Sequence, residues 1–272
     1  MNTLKQRLIS SVLLWGTLAC ILFYFKLTGI LFLITAFSVG AQYELAQLLK
    51  SDKKQTIFDV SLALCFPLLY AYFTQKTNFS TDLLYAIALI LICNWSVFGG
   101  KTAITFLTSL FGFWYIVLNL HFCLKIEQLF AFRVETSLTI LFWIIFVTKL
   151  TDVGGFFVGC SLGKHRLAPA VSPKKTWEGV LGGFLFATWG GFILFKTLPY
   201  FPQNFQTIHC FIFSIVLAWG SIVSDLLESL IKRQLQTKDS GTTIPGIGGI
   251  LDLIDSLLLN LPLSYILFKY FI

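Results

Sequence analysis

Long apolar runs alternate with short polar connections along the chain, and the runs fall near 8–25, 27–41, 57–73, 83–100, 102–124, 137–150, 179–198, 208–224 and 249–270. A helix crossing a bilayer needs about 20 mostly apolar residues. The pattern therefore predicts an all-α, polytopic integral membrane protein of about nine transmembrane helices. The run 27–41 is short for a full crossing and also fits a re-entrant piece. Lys5 and Arg7 precede the first run, but no small-residue cleavage site follows it, so it is expected to stay as a helix.

Composition agrees with the pattern. Only 12% of the 272 residues are charged and 56% are hydrophobic, against about 25% charged in soluble domains. A chain so poor in charge cannot present a wetted surface, and its 17% aromatic content excludes intrinsic disorder. The net charge of +7 follows from topology rather than from a nucleic-acid partner, since no soluble basic domain is present to grip a phosphate backbone. With the N-terminus inside, fourteen of the twenty Lys and Arg fall on the cytoplasmic side and six on the other. This N-in arrangement puts the polar segments 151–178 and 225–248 in the cytoplasm. No linker divides the chain, so helices 1–136 and 137–272 are expected to form one membrane domain, the second half holding the chemistry. The six cysteines are scattered singly with no CxxC pair, which supports neither a disulfide framework nor a zinc site.

Several carboxylates adjoin apolar helices, where ionised groups are costly unless paired or bound to a cation. They include Asp152, Asp225, Glu228, Asp239, Asp252 and Asp255. Asp225 and Glu228 stand at i and i+3 on one helix face, and Lys232 follows Glu228 at i+4, a spacing that also suits a structural ion pair. Asp239 opens a glycine-rich stretch, Ser240 to Gly249, whose backbone can approach phosphate closely. Asp252 and Asp255, again i and i+3, project from the start of the last apolar helix. They either favour the helix dipole or join Asp239 as oxygen ligands for a hard cation such as Mg²⁺. Upstream, Ser172-Pro173-Lys174-Lys175-Thr176-Trp177-Glu178 reads as a helix start with Ser172 as its cap. Its paired ammonium groups suit a polyphosphate or lipid headgroups, and Glu178 could anchor a lysine or bind a cation.

The run Ser224…Lys232-Arg233…Lys238-Asp239-Ser240-Gly241…Pro245-Gly246-x-Gly248-Gly249-Ile250-Leu251-Asp252-x-x-Asp255 resembles the signature of the phosphatidate cytidylyltransferases, the CDP-diacylglycerol synthases. The run Asp152…Gly163-Lys164-His165-Arg166-Leu167-Ala168-Pro169…Ser172 to Gly179 is similar to that family's second signature. Both occur in family order over roughly the last 120 residues, with Gln42-Tyr43-Glu44 a fainter echo upstream. The chain departs from the pattern at Ile247, where the family has His between the glycines, and at Leu253, where it has Arg. The family's Asp-Thr-Gly-Ala-Tyr is here Asp152-Val153-Gly154-Gly155-Phe156.

The resemblance implies a reaction in which CTP and phosphatidate give CDP-diacylglycerol and pyrophosphate at a site facing the cytoplasm. It implies Mg²⁺, alone or with a second cation, held by Asp239, Asp252 and Asp255, with Asp152 and Asp225 as further ligands. Lys238 would act beside these aspartates. Ser172, Lys174, Lys175, Thr176, Lys232, Arg233, Gly248 and Gly249 would hold the phosphates of CTP or phosphatidate. The partners are then the two substrates and the bilayer, and a homodimer is compatible with them. Two other readings compete. A CTP-dependent polyprenol or phytol kinase would release CDP, and a transporter would show internal repeats and charges near helix centres.

Overall fold

In the computed structural model, residues 2–76, 81–99, 102–237, 240, 241, 243 and 248–272 are described. They form α1 (Asn2–Leu48), α2 (Lys53–Lys76), α3 (Thr81–Phe98), α4 (Ala103–Gly112), α5 (Asn119–Leu129), α6 (Val134–Leu162), a hairpin of β1 (Arg166–Ala168) and β2 (Ser172–Thr176), α7 (Trp177–Thr197), α8 (Thr207–Gln234) and α9 (Ile250–Phe271). A π-helical stretch, Phe113–Leu118, joins α4 to α5. The all-α membrane reading holds. Among the described residues, seven helices are long and apolar enough to cross a bilayer, and Leu83–Val97 is a shorter apolar helix.

Within α1 the first two predicted runs are two helical stretches that meet at a break at Lys26 (φ 46°, ψ −121°), as the gap between the runs predicts. Tyr24–Leu48, which includes the run 27–41, spans 25 residues and is long and apolar enough to cross a bilayer. Two boundaries move. α6 continues to Leu162 and α8 to Gln234, so residues 151–162 and 225–234 are helical ends rather than loop. Their carboxylates therefore sit on rigid elements.

The chain divides into two compact units: Met1–Leu124 with Asp239–Leu253, and Lys125–Lys238 with Ile254–Ile272. In unit 1, Gln55 of α2 donates to Asp59 Oδ1 at 3.1 Å and bonds Ser109 of α4. Trp95 Nε1 donates to Gln55 Oε1 at 2.7 Å, so polar side chains staple α2, α3 and α4 where hydrophobicity cannot select partners.

In unit 2, small residues let helices approach closely. A Cβ on Gly154 of α6 would lie 2.6 Å from the Gly182 carbonyl oxygen of α7. Trp143 Nε1 donates to the Gly191 carbonyl at 2.9 Å. Asn260 of α9 donates to Thr148 Oγ1 of α6 at 2.8 Å and to the Leu217 carbonyl of α8 at 3.0 Å, fixing three helices around one buried amide. The polar ends of α6, α8 and α9 then carry the acidic residues.

Candidate active site

Segment 172–176 is a strand, not the predicted helix start. Proline disfavours helical geometry for the residue before it, so Ser172 is extended and pairs with Ala168, while Thr176 pairs with Arg166. The α7 cap is Thr176 instead of Ser172, its Oγ1 accepting from Gly179 N at 3.1 Å. Lys174 and Lys175 consequently project from a hairpin strand. Glu178 binds the hairpin's entry: its carboxylate accepts from the Lys164 amide at 3.1 Å and lies 2.6 Å from His165 Nδ1.

The end of α8 supplies Ser221, Ser224, Asp225, Glu228 and Lys232, spaced so that one face carries most of the polar groups. Ligand atoms of Asp225, Glu228 and Asp255 all lie within 4.8 Å of one another. Glu228 is 1% exposed and Asp255 8% exposed, a burial that ionised carboxylates reach only with partners. Lys175 Nζ lies 2.6 Å from Asp225 Oδ2, and Lys232 Nζ lies 2.6 Å from Glu228 Oε2. Beside them, Asp152 accepts from Ser221 at 3.0 Å and Ser256 at 3.1 Å, and Lys149 Nζ stands 3.5 Å away. Ser224 donates to the Asp255 carbonyl, and Lys149 donates to Ser256 Oγ at 2.7 Å.

This donor set fits a hard cation. Asp225, Glu228 and Asp255 would supply the all-oxygen, negatively charged ligands that such a cation prefers. The lysines already supply the positive charge that the carboxylates require. A cavity of about 290 Å³ adjoins the cluster, lined by Lys174, Lys175, Thr176, Asp152, Asp225 and Phe156 among others. Two ammonium groups and a capped helix start at its polar wall suit phosphate oxygens, and Phe156, Leu167 and Val180 supply apolar wall.

The predicted site residues divide accordingly. Asp152, Asp225 and Asp255 gather in unit 2 with Lys175 and Lys232. Arg233 instead donates to the Val171 and Thr237 carbonyls at 3.4 and 3.3 Å, tying the hairpin turn to the end of α8. In unit 1, Asp252 lies in the first turn of α9. Its Oδ2 accepts from the Gly249 amide at 2.7 Å and the Ser240 amide at 3.1 Å. Gly248 has φ +127°, which side-chain-bearing residues rarely adopt. Leu253, where the resemblance has Arg, is buried. Lys238, Asp239 and Ile247 lie outside the described residues.

Sequence reasoning left Glu228 as an ion-pair partner, although its i, i+3 spacing from Asp225 already carried the signal. Lys149, Ser221 and Ser256 had no motif to announce them, because their roles depend on three helices converging. Glu44 was visible only as an echo.

Comparison with known proteins gives the family. The model of the cytidylyltransferase family matches residues 5–271. The chain is 32% identical to the phosphatidate cytidylyltransferase of Thermotoga maritima over 286 residues, covering 99% of this chain and 97% of that one. It is also 32% identical to the phosphatidate cytidylyltransferase of Bacillus subtilis over 283 residues, covering 100% of both. The Haemophilus influenzae enzyme of the same name is 39% identical over 136 residues, 50% of this chain and 46% of that one. The chain belongs to the cytidylyltransferase family, as a multi-pass membrane nucleotidyltransferase.

Proposed function

We propose that the chain is a phosphatidate cytidylyltransferase, forming CDP-diacylglycerol and pyrophosphate from CTP and phosphatidate for phospholipid synthesis. The observation that carries this reading is the meeting of Asp225, Glu228 and Asp255 with Lys175 and Lys232 at the polar ends of membrane helices. A phosphatidate phosphate oxygen would attack the α-phosphorus of CTP. The new P–O bond forms as the bond to the bridging oxygen of pyrophosphate breaks. The nucleophile is already anionic, so no general base is needed, and the chain's contribution is positioning and charge.

Asp225, Glu228 and Asp255 would hold Mg²⁺, with Asp152 as a further candidate and a second cation compatible with four carboxylates. When bound, the cation would offset phosphate charge in the transition state. Lys174 and Lys175 would orient phosphates in the adjoining cavity, and Thr176 would hold the start of α7 against it. Lysine-rich polar ends argue for a site facing the cytoplasm of a bacterial cytoplasmic or inner membrane. CTP would then arrive from water while phosphatidate enters from the bilayer.

The test is conversion of labelled CTP and phosphatidate by purified protein in vesicles. CDP-diacylglycerol and pyrophosphate should form with Mg²⁺ and stop in excess chelator. Release of CDP with a newly phosphorylated lipid would instead establish a kinase, and full turnover in chelator would remove the cation assignment.

A further inference from the structure

Glu44 lies near the end of α1, 5% exposed, and its carboxylate reaches the glycine-rich stretch within unit 1. Its Oε1 accepts from the Ile250 amide at 2.8 Å and from Thr243 Oγ1 at 2.6 Å. Its Oε2 accepts from the Leu251 amide at 2.9 Å and from Ser240 Oγ at 3.5 Å. Ser240 Oγ in turn accepts from the Asp252 amide at 3.3 Å. The first amides of a helix have no intrahelical acceptor, and a neighbouring Ser, Thr or Asp commonly supplies one. For α9 part of that role falls to a residue some two hundred positions earlier.

The surroundings are shaped to this carboxylate. A Cβ on Gly241 would stand 2.8 Å from Glu44 Oε1, and one on Gly249 would overlap Glu44 Oε2. On α1 itself, one turn before Glu44, a Cβ on Gly40 would collide with the Ile250 side chain. Three glycines thus leave room for one contact between α1 and the start of α9.

We infer that Glu44 is a positioning residue for cytidylyl transfer, setting the glycine-rich stretch and the first turn of the helix that carries Asp252 and Asp255. Both of its oxygens are engaged by donors from the stretch it holds, so its part is to fix geometry rather than to bind the cation. A carboxylate does this better than an amide. In Gln one oxygen becomes an NH₂ group that would face backbone N–H donors and repel them. The inference rests on the proposed reaction for its consequence, but its geometry can be read without substrate.

The experiment compares wild type, Glu44→Gln, Glu44→Ala, Gly241→Ala and the Glu44→Ala/Gly241→Ala pair, each as the full chain in lipid vesicles. Amide exchange is followed alongside turnover across a Mg²⁺ titration. In Glu44→Gln, the Ile250 and Leu251 amides should exchange about tenfold faster or more, while α2 and α4 keep wild-type protection. Turnover should fall about 10- to 100-fold, as for other residues that orient ligand-bearing groups, and the Mg²⁺ concentration giving half-activity should rise. Gly241→Ala alone should lose activity, yet add little loss to Glu44→Ala, where the side chain it would meet is gone. Wild-type exchange and Mg²⁺ dependence in Glu44→Gln, or additive losses in the pair, would overturn the inference. So would loss of protection throughout unit 1, which would make Glu44 a general fold residue. A wild type that makes no CDP-diacylglycerol would refute the proposed reaction, while the exchange data would still decide whether Glu44 holds the stretch.

Discussion

In unit 2, Asp225 and Glu228 pair with the ammonium groups of Lys175 and Lys232 and cluster with Asp255, whereas in unit 1 Glu44 faces backbone amides and two hydroxyls. All four are carboxylates at the ends of apolar helices, three of them buried, and a hydropathy plot does not separate them. Their partners do. A carboxylate held by fixed backbone donors shapes the chain around it, because those donors cannot leave without unfolding a turn. A carboxylate paired with a lysine can exchange that ammonium group for a cation or a phosphate-bound metal at little cost to the fold. Asp252 belongs with Glu44 by this criterion, since the Gly249 and Ser240 amides fix its Oδ2.

The contrast would break most clearly at the acidic cluster. Asp255→Asn and Asp225→Asn should each lower turnover by about two to three orders of magnitude, the scale of deleting one preorganised electrostatic contact. Detergent melting should change little, because Asn retains the shape. Near-normal turnover in both variants would leave the cation without its ligands.

A smaller loss, about 100-fold, is expected for Asp252→Asn. Its remaining carbonyl can still accept one of the backbone bonds, so loss of charge outweighs loss of shape. A Mg²⁺ titration separates the two contributions, since restored turnover at high Mg²⁺ marks a cation ligand and unrestored turnover marks a cap.

Lys174→Ala should cost about 10- to 150-fold in kcat/KM, the range of one charge-assisted phosphate contact at about 1.5–3 kcal/mol. Lys175→Ala should cost at least as much, because it also leaves Asp225 without its 2.6 Å partner. Wild-type kinetics in both variants would make the pair a topological signal that touches only lipid headgroups.

The least effect is expected from His165→Ala. His165 is 78% exposed at its side chain, and its ring meets Glu178 at the surface. Exposed pairs contribute about 0.2–1 kcal/mol, so turnover should change by less than about fivefold and the hairpin should remain. A larger loss would show that the hairpin's entry is set by that ring rather than by the Glu178 bonds to the Lys164 and His165 amides.

Legibility differed between the helices and the site for physical reasons. Apolar runs must become helices in a bilayer because every backbone group needs an internal partner, so composition and run length alone fix that part of the fold. The runs on either side of Lys26 were legible for the same reason, and so was the acidic face of α8, where helical spacing puts Asp225 and Glu228 side by side. The strand at Ser172–Thr176 was not legible. Pro173 is compatible with a helix start and with an extended segment alike, and pairing with Arg166–Ala168 selects the second. Nor could spacing assign Arg233 to the hairpin turn, because its acceptor at Val171 lies 62 positions away.

What the sequence determined by itself is the membrane-spanning helical class, the family signatures and which residue types are available for phosphate and cation chemistry. Each follows from local composition and short-range spacing. Only the tertiary structure decided that Asp255 joins Asp225 and Glu228, that Lys175 and Lys232 are their partners, and that Glu44 caps the start of α9. Those roles depend on which lone pair meets which donor across helices distant in sequence, and no local pattern specifies that meeting.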